Sequence, residues 1–221
     1  MPSYYPLFLN IEGRKCVVVG GGLVAERKVE TLLECKASVT LISPQASPGL
    51  RKLVKAGTIE RLTRGFRKGD LKGARLAIAA TDDVEVNARV AEEARALGVM
   101  VNVVDDPPLC EFIVPSVLRR GDVTVAVSTG GKSPALARKI RTDLENRLRP
   151  GYGQLALMIS DVRARVKQAG MKLEGDAWQR VLDVEALCDL LEQGKEAEAR
   201  SKLLADLSAA SSRNLGNRSN G

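Results

Sequence analysis

Three short segments hold the residue types that chemistry needs. Asn102-Val-Val-Asp105-Asp106-Pro-Pro108 puts a carboxylate at the end of an apolar run. If that run is a strand of an open parallel sheet, Asp105 stands at the carboxyl edge where such sheets bind ligands. A carboxylate there can take a proton from a substrate as a hydride leaves. Asp106 competes as a turn former before the prolines, and judged in isolation either aspartate fits either role.

The second segment is Lys15-Cys-Val-Val-Val-Gly-Gly-Gly-Leu-Val-Ala-Glu-Arg-Lys28, in which Gly20, Gly22 and Ala25 fall at G-x-G-x-x-G/A spacing. Gly20 permits a tight turn off a strand, Gly22 lets the backbone approach a pyrophosphate, and Ala25 lets the following helix pack closely. The context fits, because Val17 to Val19 is β-branched and Ala25, Val29, Leu32 and Leu33 recur with helical spacing. Ser128-Thr129-Gly130-Gly131-Lys132-Ser133-Pro134 is the third. Its two glycines expose backbone N–H groups ahead of a helix capped by Ser133, which favours a carboxylate or phosphate, and Lys132 adds charge. A plain helix cap explains the same residues. It is not a Walker A loop, which needs a glycine where Ala126 stands.

The elements that must position these residues alternate. Strands are expected near Val17–Val19, Ser38–Ile42, Thr58–Leu62, Leu76–Ala80 and Val99–Val104. Between them come helices at Leu23–Cys35, at Leu50–Ala56, and through Val86, Val90, Ala94 and Leu97 to a stop at Gly98. Near-continuous apolar strands in such an alternation imply a parallel sheet covered on both faces, an α/β, Rossmann-like fold. After it, Phe112–Leu118 and Val123–Val127 flank Arg119-Arg-Gly-Asp122 and read as an antiparallel hairpin. A helix with Leu136, Ile140, Leu144 and Leu148 follows Pro134, Pro150-Gly151 breaks the chain, and the remainder is helical up to a Ser/Asn/Gly-rich tail.

Composition narrows the functions. The 221 residues contain no histidine, so acid–base work falls to carboxylates, lysine, tyrosine or water. Aromatics make up only 3%, which argues against a base-stacking nucleic-acid platform. Of the net charge of +7, an excess of five is concentrated between Val114 and Pro150, where eight Lys or Arg meet three acids. That patch suits a polyanionic small molecule or nucleic acid, or is simply a solvated helix face. The four cysteines form no C-x-x-C pair and read as small buried or partly buried hydrophobes, with no metal site expected. No segment reads as a signal peptide or membrane span, so a cytoplasmic protein is expected.

The cofactor choice stays open from the residues. Strand two ends in Ile42-Ser43-Pro44-Gln45, with neither the carboxylate typical of NAD sites nor an arginine beside it for a 2′-phosphate. Ser43 and Gln45 are neutral candidates for the ribose, and Gly21, Thr81 and Asp82 complete the edge around it.

In order and spacing the chain resembles the precorrin-2 dehydrogenase/sirohydrochlorin ferrochelatase family, the first module of siroheme synthases. The resemblance lies in Val18–Lys28, Ala77–Asp83, Asn102–Asp105, Phe112–Ser116 and Val125–Pro134, and covers roughly Tyr5 to Leu148. It implies NAD-dependent oxidation of precorrin-2 to sirohydrochlorin in siroheme biosynthesis, with ferrous iron as a further substrate if insertion occurs at the same site. It also implies that Asp105 is the acid–base residue and that Leu23-Val24 and Ser43-Pro44 hold NAD. Ser128 to Ser133 would line the tetrapyrrole site. On this view residues 1–111 bind NAD, 112–150 form a dimerisation and tetrapyrrole-binding region, 151–207 form a helical C-terminal domain, and 208–221 are a disordered tail. The expected partners are the tetrapyrrole and a second copy of the chain, not nucleic acid or membrane. With no room for a methyltransferase module before Gly221, precorrin-2 is expected from elsewhere. The rival readings are an NAD-sensing module without turnover, a dehydrogenase for another polyanion, and a nucleic-acid protein using the Arg138–Arg149 helix. A short-chain dehydrogenase is disfavoured, since no Tyr-x-x-x-Lys pair occurs (Tyr152 is followed four later by Ala156).

Overall fold

In a computed structural model that describes residues 4–171 and 176–218, alternate residues of β1 (Lys15–Val19) serve two cores at once. Cys16 and Val18 join one cluster and Val17 and Val19 the other, as successive side chains of a fully covered strand must. The strands β2 (Ser38–Ile42), β3 (Glu60–Leu62), β4 (Leu76–Ala79) and β5 (Met100–Val103) pair with it, all parallel, in the order β3-β2-β1-β4-β5. The chain therefore runs outward from β1 to β3, then crosses back to β4. That reversal opens a crevice beyond the carboxyl ends of β1 and β4.

Helices cover both faces. On one, α1 (Leu23–Glu34) buries Ala25, Val29 and Leu32, and α2 (Pro48–Lys55) buries Leu50. On the other, α3 (Val84–Leu97) buries Asn87, Val90, Ala91 and Ala94. Leu97, expected on that buried face, is 45% exposed. The helix stops one residue later at left-handed Gly98, and the chain turns away before Leu97 can be covered.

The chain divides into two compact units, Met1–Val114 and Pro115–Gly221. The second opens with the antiparallel hairpin β6 (Ser116–Arg120) and β7 (Val123–Val127), followed by α4 (Pro134–Glu145). Phe112 to Val114, expected in the first strand of that hairpin, lie outside it. Asn102 Nδ2 donates to the Phe112 carbonyl at 3.0 Å, which ties that residue to the first unit instead. Leu136 and Ile140, expected as the core stripe of α4, are 51% and 38% exposed, and Ala137 is the residue that is buried.

Beyond α4, the helices α5 (Gly151–Gln168), α6 (Ala177–Val181), α7 (Val184–Glu192) and α8 (Glu196–Arg218) enclose a core of Leu155, Met158, Val162, Leu187, Leu191, Leu203 and Leu207. Gly121 in the hairpin turn and Gly153 in α5 allow backbone to meet backbone, since a Cβ on Gly153 would lie 2.9 Å from the Arg120 carbonyl oxygen. The expected tail from Ser208 is helical as far as Arg218, and residues 219–221 lie outside the described ones. Extending a helix anchored by Leu203 and Leu207 through Ala209 and Ala210 needs no new nucleation. No helix among the described residues is long and apolar enough to cross a membrane.

Candidate functional site

Four strand ends of the first unit converge on one edge. In sheet order they carry Ser43 after β2, Gly20 after β1, Thr81 after β4 and Asp105 after β5. Parallel pairing aligns these ends, so residues far apart in sequence become neighbours about 5 Å apart per strand.

The three glycines have separate tasks. Gly20 has φ 121 and donates to the Ile42 carbonyl, and a Cβ there would lie 2.1 Å from the Ala80 oxygen. On Gly21 a Cβ would lie 1.9 Å from the Gln45 oxygen and 2.7 Å from Ser43 Oγ. These two close the turn against the loops after β4 and β2. Gly22 differs, because a Cβ there would meet nothing within 4 Å. It begins α1 without any side-chain cap, whereas Ser47 caps α2 and Asp83 caps α3. The first N–H groups of α1 thus face open space over Gly22, with Leu23 exposed beside them and Val24 half-buried. A pyrophosphate fits that arrangement.

The loop after β2 keeps its neutral character. Ser43 is buried while Pro44 and Gln45 are exposed. The structure adds an arginine that the sequence around strand two does not contain: Arg61 on β3 donates to the Ser43 carbonyl from Nε and Nη2 at 3.3 and 3.2 Å, and to the Pro44 carbonyl at 3.0 Å. Its position across the sheet is the only clue, and β3 lies too far along the chain for spacing to find it. Thr81 forms the turn into α3, giving its hydroxyl proton to Asn87 Oδ1 or the Asp83 carbonyl while Asn87 Nδ2 donates back to the Thr81 carbonyl. Asp82 is exposed at the same strand end.

Asp105 is exposed at the strand end and its backbone is left-handed, with φ 60. Asp106 begins the short 3-10 turn Pro107–Leu109 without a side-chain cap bond. Two further groups face this turn. Lys28, one turn before the buried Leu32 of α1, is held below its ordinary pKa by burial first and by Arg27 second, against the opposing pull of the Asp105 carboxylate. Cys110 is pushed above the usual thiol range by burial, against the Val103 backbone hydrogen bond. Sequence reasoning missed both. Lys28 had a signal, since it lies three residues after Ala25 and four before Leu32, on the flank of the buried stripe.

The second cluster belongs to the other unit. Ser128 Oγ accepts from the Gly130 N–H, Thr129 Oγ1 joins both the N–H and the carbonyl of Ser133, and Ser133 Oγ caps α4 through the Leu136 N–H. Gly130 and Gly131 have φ 62 and 80, and Lys132 is exposed. The basic excess is partly neutralised. Arg120 and Arg141 pair with Glu145, Lys139 with Asp143, and Arg149 with Asp189 and Glu192. Among the described residues no ion pair holds Lys132, Arg138 or Arg147, so the uncompensated charge lies along α4 and its leading turn. Also among the described residues, no three His, Cys, Asp or Glu side chains gather to hold a metal ion.

Residues 7–116 match the family described as putative NAD(P)-binding, and residues 120–147 match the sirohaem biosynthesis protein central family. Siroheme synthase of Methylococcus capsulatus is 44% identical over 94% of this chain and 44% of its own length. That of Stutzerimonas stutzeri is 42% identical over 97% and 46%, and that of Methylobacillus flagellatus 48% identical over 74% and 35%. The chain spans less than half the length of these curated relatives. Among solved structures, SirC, a precorrin-2 dehydrogenase, superposes with a TM-score of 0.65 at 21% identity, covering 93% of this chain and all of that one. That likeness shows the shared fold.

Proposed function

The chain belongs to the siroheme synthase family over its NAD(P)-binding and central segments, and from that premise we propose that it oxidises precorrin-2 to sirohydrochlorin with NAD. The observation that carries this reading is the place of Asp105, a left-handed carboxylate on the same strand-end edge as the open glycine turn, two strands from Gly20. NAD, when bound, supplies the hydride acceptor. Gly22 and the uncapped start of α1 receive the pyrophosphate, and the β2 loop with Ser43, Pro44 and Gln45 receives the adenosine ribose. Thr81 and Asp82, at the end of β4 between the glycine turn and Asp105, would hold the nicotinamide half. Asp105 then accepts the proton that precorrin-2 loses together with its hydride. Lys28 keeps positive charge near that carboxylate before the proton arrives.

Ser128 to Ser133, with Lys132 and Arg138, bind peripheral carboxylates of the tetrapyrrole through backbone N–H groups and cationic side chains. The chain acts as a homodimer in this reading. Leu136 and Ile140, one helical turn apart and both exposed, are the kind of apolar pair that a second copy covers. A cytoplasmic location belongs to the same reading. Ferrous iron is a further substrate at the same edge, where Asp105 would collect the pyrrole protons released on metal insertion.

The test is direct. Purified protein with NAD and precorrin-2 generates NADH and sirohydrochlorin in equal amounts. Binding of NAD without any NADH would establish a sensing module instead.

A further inference from the structure

We propose that Cys110 is a positioning residue for Asp105, its thiol holding the backbone on both sides of that carboxylate in the conformation that presents it at the sheet edge. The proposal rests on reading Asp105 as the acid–base group.

The argument starts from the backbone. Among the described residues only Lys36 and Asp105 are non-glycine residues with positive φ. Lys36 follows the end of α1, where a left-handed residue is ordinary. Asp105 stands in a turn between strand and 3-10 helix, so no helix end explains its φ, and although aspartate enters that region more readily than most L-residues, its surroundings hold the turn there. The surroundings converge on one sulfur. The Val103 N–H donates to Cys110 Sγ at 3.2 Å, and Sγ lies 3.1 Å from the Val103 carbonyl oxygen and 3.2 Å from that of Asp106. One thiol proton serves one of those carbonyls at a time, yet both flanks of Asp105 are fastened to the same atom.

Asn102 completes the clasp. Its Nδ2 donates to the Phe112 carbonyl at 3.0 Å and approaches Sγ at 3.5 Å, while the Glu111 N–H returns to the Val101 carbonyl at 2.9 Å. Residues 103 to 112 thus leave β5 and come back to it with Sγ at their centre. Partial burial raises the thiol's pKa and keeps it protonated, which suits a donor and not a nucleophile. As a mere space-filler, Cys110 would be replaceable by any apolar residue of its size.

That difference sets the experiment. Cys110 has φ −91 and ψ 134, a backbone that suits valine, so Cys110→Val keeps the packing and removes the hydrogen bonds. Cys110→Ser keeps a donor and acceptor. Cys110→Val is expected to lower kcat for NADH formation about tenfold, the scale of one lost hydrogen bond, with NAD affinity within about twofold of the parent. Cys110→Ser should recover kcat to within about threefold. Amide exchange at Val104 to Asp106 should quicken about tenfold in the valine variant and stay unchanged across β1 and β4. Parental kcat and exchange in Cys110→Val would overturn the proposal. So would a fall in NAD affinity and melting temperature matching the fall in kcat, since Cys110 would then support the whole fold. If the parent makes no NADH, the dehydrogenase reading fails, and the exchange of the Asp105 turn still decides whether Cys110 holds it.

Discussion

In the Met1–Val114 unit, Ser43, Gly20, Thr81 and Asp105 come from four strands and meet only because parallel pairing aligns their ends. In the Pro115–Gly221 unit the turn before α4 is six consecutive residues, Ser128 to Ser133, held by three of its own hydroxyls. The first arrangement depends on the whole sheet and tolerates little displacement, because its backbone groups already touch. The second is local and carries exposed charge, so substitution there changes capture of a ligand more than the fold. In the proposed reading, cofactor binding and proton transfer fall to the first unit, and retention of a polyanion to the second.

Neighbouring glycines in the first unit give the largest contrast. Gly21→Ala forces a Cβ to 1.9 Å from the Gln45 oxygen, so it should lower the melting temperature by about 5 °C or more and abolish detectable NAD binding. Gly22→Ala meets open space, so it should leave the melting temperature within about 2 °C while weakening NAD at least about tenfold, because the methyl occupies the pyrophosphate approach. Calorimetry and thermal unfolding separate the two. If Gly22→Ala bound NAD as tightly as the parent, the cofactor would not enter over that residue.

Charge in the second unit gives a smaller effect. Lys132→Ala and Arg138→Ala should each raise KM for precorrin-2 about threefold to tenfold at low salt, less as ionic strength rises, with kcat and NAD affinity unchanged. A fall in kcat with constant KM would move these residues from capture into the chemistry.

The parts legible in the sequence were those fixed by neighbours a few residues apart. Gly20 to Ala25 carries its spacing on its face, Ser133-Pro134 announces a capped helix, and the β-branched runs mark the buried strands. What sequence could not supply was which faces find partners. Leu136 and Ile140 have helical core spacing, yet no neighbour in their unit covers them. Arg61 meets the β2 loop only through strand pairing, and Cys110, which composition reads as a small hydrophobe, becomes a hydrogen-bonding centre only when residues 103 to 112 close on themselves. Helical periodicity likewise predicts the face holding Val90 and Ala94, but not where α3 stops covering Leu97.

The central claim is that Asp105 moves the proton while the glycine turn holds the cofactor. Asp105→Asn keeps the left-handed backbone that asparagine also favours and removes the base. NAD affinity by calorimetry and the rate of NADH formation from precorrin-2, measured on the same sample, test the claim together. The account predicts NAD affinity within about twofold of the parent and a rate about 100-fold or more lower. A variant that retained the parental rate would contradict it.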